Sequence, residues 1–126
     1  MHINCQKEDL LYGVQAVSRA VSNKNTLPIY SGIMILASGN NLIFRATDAE
    51  IAIECVINAD VITEGDVVVT GKYFSELVRY LPNGLISFES LNEVQLMIRY
   101  DDSQITVNCL PSEEFPQIIE VEGDIN

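Results

Sequence analysis

The chain has 126 residues, with 7 Lys and Arg against 18 Asp and Glu, one His, three Cys and no Trp, for a formal charge of -11. A hydrophobic share of 48% with 20% charged residues describes one folded domain and excludes disorder as the main state. The negative charge excludes a protein that coats nucleic acid or anionic membrane indiscriminately, and no apolar run approaches the ~18 residues of a membrane span.

Residues 2–5 read as a short opening strand. Residues 7–21 follow as an amphipathic helix, with Leu10, Val14, Val17 and Val21 on one stripe and Gln15, Arg19 and Ser22 on the opposite face. Three strands come next, at 33–37, 42–47 and 51–57, separated by Ser38-Gly39-Asn40-Asn41 and Asp48-Ala49-Glu50. A short strand at 66–70 leads into a second helix over 72–81, with Phe74, Leu77, Val78 and Leu81 at helix spacing, stopped by Pro82-Asn83-Gly84. Lys72, Glu76 and Arg79 lie opposite that stripe, and Tyr73 and Tyr80 fall off it, where they can serve an interface. Strands at 85–89, 94–100 and 104–109 complete the pattern.

The order strand, helix, three strands thus occurs twice, about 63 residues apart, which marks an internal structural duplication. The expected class is α+β: two antiparallel sheets with both helices on one side. Residues 1–116 form the domain, and 117–126, within an acidic tail without bases, read as a linker toward a further domain.

The charges follow the elements. Residues 7–24 and 72–81 carry a net +2, whereas the other 98 residues carry -13, so helices on one side would give an acidic protein one mildly basic face. Helix propensity alone also accounts for bases on helices.

Catalytic motifs fare poorly. Gly65 to Lys72 fails as a phosphate loop, because the glycine spacing is one residue too long and Tyr73 stands where a Ser or Thr must hold magnesium. The sole histidine, His2, sits in the first strand and offers no base to a Ser or Cys nucleophile. Asp48 and Glu50 are turn residues before they are an acid/base pair, and the same holds for Asp101-Asp102. Cys5, Cys55 and Cys109 are odd in number and 50 and 54 residues apart, which suits neither a disulfide framework nor a metal motif. No metal, cofactor or catalytic residue is expected. With no export signal at the start of the chain, the expected compartment is the cytoplasm. A free-standing acidic interaction domain and a small carboxylate hydrolase built on Asp48 and Glu50 are the competing readings.

Three segments taken together go further: Lys24-Asn25-Thr26-Leu27-Pro28-Ile29, Arg45-Ala46-Thr47-Asp48-Ala49-Glu50-Ile51 and Leu110-Pro111-Ser112-Glu113-Glu114-Phe115-Pro116. In order and spacing they resemble the N-terminal domain of the bacterial sliding clamp family, the β subunit of DNA polymerase III. The resemblance covers essentially the whole chain. It implies a processivity factor without enzyme activity, one of three domains in a subunit whose ring dimer encircles duplex DNA with helices lining the hole.

On that resemblance Lys24 and Lys72 approach the DNA backbone without reading sequence, and Arg19, Gln15 and Arg79 join them from their helix faces. Tyr73, Leu77, Tyr80, Gln104, Ile105 and Val107 would meet the third domain of a second subunit. Polymerase and clamp loader would bind only through domains outside this chain, which is expected to be a monomer or weak self-associate with no membrane partner.

Overall fold

The computed structural model describes residues 1–21, 31–47 and 51–114. Lys24, the turn holding Asp48 and Glu50, and the tail from 117 onward lie outside the described residues. Among the described residues there are nine strands and two α-helices: β1 (His2–Gln6), α1 (Lys7–Val17), β2 (Gly32–Ser38), β3 (Asn41–Thr47), β4 (Ala52–Asn58), β5 (Asp60–Thr63), β6 (Gly65–Thr70), α2 (Gly71–Tyr80), β7 (Leu85–Asn92), β8 (Gln95–Tyr100) and β9 (Ser103–Leu110). The first helix ends earlier than its periodicity predicts, because residues Ser18–Ala20 tighten into a 3-10 turn.

All strand pairs are antiparallel, in the order β4-β3-β2-β6-β9-β8-β7-β1-β5. The two expected sheets are the two halves of this array. They are joined at one short seam, where β6 meets β9 through Val68 opposite Leu110 and Val69 opposite Cys109. Each leading strand pairs outside its own repeat: β1 docks on β7 and β6 on β2. The duplication therefore interlocks, and neither repeat completes a sheet without the other.

The strand β5 has no counterpart in the sequence reading. Four residues, even with Val61, Ile62 and Thr63 β-branched, are too short for periodicity to register. Pairing to the outer edge of β1, through Ile3 opposite Val61, makes them a strand. Ala59 alone separates β5 from β4, so the two edge strands of the array are neighbours along the chain.

Turn chemistry fixes the registers. Gly39 takes a φ of 61° in the two-residue turn between β2 and β3, where its N–H donates to Glu64 Oε2 at 2.8 Å. Asp101 takes a φ of 50° in the turn between β8 and β9, a conformation Asp tolerates better than most residues. The Asn92 side chain accepts from the Val94 N–H at 2.9 Å at the tip between β7 and β8.

The core lies between the helices and the inner faces of the strands. Leu10, Val14 and Val17 from α1 and Phe74 and Val78 from α2 are fully buried, as their stripes require. Phe74 meets Phe88 of β7 edge to face, with ring centroids 5.8 Å apart. Each fully buried side chain of this size contributes about 1.5–3 kcal/mol.

Candidate nucleic-acid interface

The two helices lie side by side and antiparallel, because bonds tie opposite ends together. At one end the Lys7 N–H donates to Gly84 O at 2.9 Å, and Lys7 Nζ reaches Arg79 O, a carbonyl at the end of α2, at 3.5 Å. Toward the other end Ser18 Oγ lies 3.1 Å from Ser75 Oγ. Ser18 gives its own proton to Val14 O at 2.6 Å, so in the pair Ser75 is the donor.

Between the helices runs an open groove of about 290 Å³, lined by Gln15 and Ser18 on one side and by Lys72, Ser75, Glu76 and Arg79 on the other. Gln15, Lys72 and Arg79, expected to face DNA, are thus brought together by the packing of α1 on α2. Arg19 is exposed in the 3-10 turn just after α1 and does not line the groove. The serines and Glu76 are members that sequence reasoning did not single out for this role. Helix spacing held the signal: Ser18 is three residues from Gln15, and Ser75 and Glu76 lie between Lys72 and Arg79.

Besides Lys7, already placed at the end of α2, the bases among the described residues divide into two groups. Arg45 on β3 is held by Glu54, directly opposite on β4, at 2.6 Å, and Arg99 on β8 lies 3.7 Å from Glu89 of β7. Arg19, Lys72 and Arg79 make no ion pair among the described residues. Lys72 also stands in the first turn of α2, where no acidic residue accompanies it. A cation at that end opposes the helix dipole, so local helix energetics do not account for it. Bases on strands are neutralised, and bases on the helix face remain available to an external anion.

The expected interface residues separate by depth. Tyr73 is 54% exposed and Tyr80 83% exposed, and Leu77 between them is half-buried. On β9 the outward positions are Gln104, Thr106 and Asn108. Ile105 packs partly against the core, and Val107 is 3% exposed within it. Val107, expected at the subunit contact, is turned inward by strand alternation and fills the core beneath the strand. Among the described residues the β6 side of β9 carries pairing only at Cys109 and Leu110, because the chain turns into α2 at Gly71 and β6 reaches no further along that edge.

The thiols are not poised for chemistry. Burial pushes Cys5 up to about 12, with the Asp9 charge adding to it, and burial pushes Cys109 up to about 11. Burial also raises Cys55. Among the described residues no three His, Cys, Asp or Glu groups are arranged to hold a metal ion, and no helix is long and apolar enough to cross a membrane.

The family model for the DNA polymerase III beta subunit, N-terminal domain, matches residues 1–119. The chain belongs to this family.

The beta sliding clamp of Bacillus subtilis is 32% identical over 130 residues, which cover 97% of this chain and 34% of that protein. The clamp of Pseudomonas aeruginosa is 28% identical, covering 100% of this chain and 35% of that one. Among solved structures, the DNA polymerase sliding clamp from Bacillus subtilis superposes with a TM-score of 0.88 at 32% identity, covering 92% of this chain and 33% of that one. The sliding clamp from Caulobacter crescentus gives 0.86 at 30% identity, with 92% and 32% covered. This clamp-family domain therefore spans about a third of the length of the relatives it matches. Its α+β fold, two helices on a nine-stranded antiparallel array, is the clamp fold.

Proposed function

We propose that this domain serves as the N-terminal unit of a bacterial DNA sliding clamp, a processivity factor without catalytic residues. In a ring of such units α1 and α2 face the hole and contact the phosphate backbone of duplex DNA. Encirclement keeps the ring on DNA, so each phosphate contact can be weak and independent of sequence, and the ring can slide while holding the replicative polymerase through its other domains. The observation that carries this reading is the division of the bases, with Arg45 and Arg99 paired on strands and Arg19, Lys72 and Arg79, on the helix side, without ion pairs among the described residues. Lys24 belongs to the same reading by its place just after the first helix in the sequence. A bacterial replication clamp works in the cytoplasm.

The proposed subunit contact is the edge of β9 with Gln104, Ile105 and Val107, together with Tyr73, Leu77 and Tyr80 of α2, facing the third domain of a second subunit. An open strand edge offers backbone groups for pairing, and exposed tyrosines give area with a polar tip.

The test is binding of two duplexes of unrelated sequence by fluorescence anisotropy across a salt series. Equal affinities that fall with salt, and fall further in Lys72→Gln and Arg79→Gln, support the proposal. Sequence preference, or indifference to both substitutions, refutes it.

A further inference from the structure

Glu76 is out of place on a surface meant for phosphate. It lines the groove between α1 and α2 together with Lys72 and Arg79, so the charged groups there sum to +1 and not +2. Glu54 and Glu89 are engaged with Arg45 and Arg99 on the strands, whereas Glu76 makes no ion pair with Lys72 four residues before it or Arg79 three residues after it. The Lys72 to Glu76 order is also the weaker orientation for an i,i+4 pair. No formed ion pair within α2 accounts for this carboxylate. Nor does the helix dipole, which favours acids in the first turn, whereas Glu76 is the sixth residue of α2.

We propose that Glu76 is a brake on DNA affinity, repelling any phosphate that settles between Lys72 and Arg79 and so keeping the ring mobile. This rests on the DNA-facing role of the helices. A ring held on by topology gains nothing from a deep electrostatic well at each phosphate, because every step along the duplex must climb out of it. One carboxylate beside two bases makes each well shallower while leaving enough attraction to centre the duplex. Gln15, Ser18 and Ser75, which line the same groove, contribute hydrogen-bonding groups without net charge.

The experiment measures the full-length subunit that carries this domain, assembled as a ring, against a short duplex by fluorescence anisotropy at low and high ionic strength, with Glu76→Gln, Glu76→Asp, Lys72→Gln and Arg79→Gln in parallel. Removing one like charge within several ångströms of a phosphate raises affinity about threefold at low salt, and screening abolishes the gain at high salt. Glu76→Asp, which keeps the charge, stays near the original affinity. If Lys72→Gln and Arg79→Gln weaken binding while Glu76→Gln leaves it unchanged or weaker, the brake is refuted and the DNA-facing role stands. If the assembled ring fails to bind duplex at low salt, or none of the substitutions matters, the DNA-facing role fails and the brake falls with it.

Discussion

The ring of Phe44 on β3 occupies the space into which a side chain at Gly13 of α1 would grow, so that a Cβ there would overlap Phe44 Cε2 and Cδ2. Glycine in mid-helix costs about 1 kcal/mol in propensity relative to alanine, and here that cost brings α1 down onto the sheet.

Gly13→Ala should therefore destabilise the domain despite its better helix propensity. The rigid ring must move, and overpacking of this kind costs about 1–3 kcal/mol. Urea unfolding measures the loss. A second substitution, Phe44→Leu, should make Gly13→Ala less harmful than it is alone, and simple additivity of the two effects would argue against the contact.

The buried thiols should make stability fall at alkaline pH. An unfolded thiol titrates near 9.0, whereas folding pushes Cys5 up to about 12 and Cys109 up to about 11. Between those values the unfolded chain loses protons that the folded chain keeps, so the stabilisation is whole below pH 9 and declines as pH rises toward 12. Denaturant unfolding at pH 8 and pH 10.5 should show this decline, and Cys5→Ala should show a smaller one. An equal decline in that variant would assign the effect to other groups.

Depth, not chemistry, separates the residues at the proposed subunit contact. Val107→Ala removes two buried methyl groups and should cost about 2 kcal/mol of stability. Tyr80→Ser, at a position 83% exposed, should stay within about 0.5 kcal/mol of the original. Thermal unfolding distinguishes the two, and a large loss in Tyr80→Ser would place that ring inside the domain.

Arg45→Gln and Arg99→Gln should leave duplex affinity within about twofold of the original, because their partners already neutralise them and the substitutions change only the remote field. Affinity losses matching those of Lys72→Gln would mean that DNA is not confined to the helix side.

The sequence by itself determined the two helices, eight of the nine strands and the repeat, because buried stripes at a helical period and strand runs between turn residues are local properties. It also placed the excess of bases on the helices, and three short segments sufficed for the family. Tertiary structure decided what depends on partners far along the chain. Exchange of β1 and β6 between the repeats follows from strand pairing that no local pattern encodes. The strand β5 exists because β1 offers an edge. Val107, assigned to the subunit contact by resemblance alone, lies in the core of this chain, because the inward face of β9 is set by the sheet it joins. Which bases remain unpaired was likewise invisible, since Arg45 is neutralised by a residue that only the β3–β4 register brings opposite it. Charge is written residue by residue, but whether it is available to a ligand depends on what the fold places beside it.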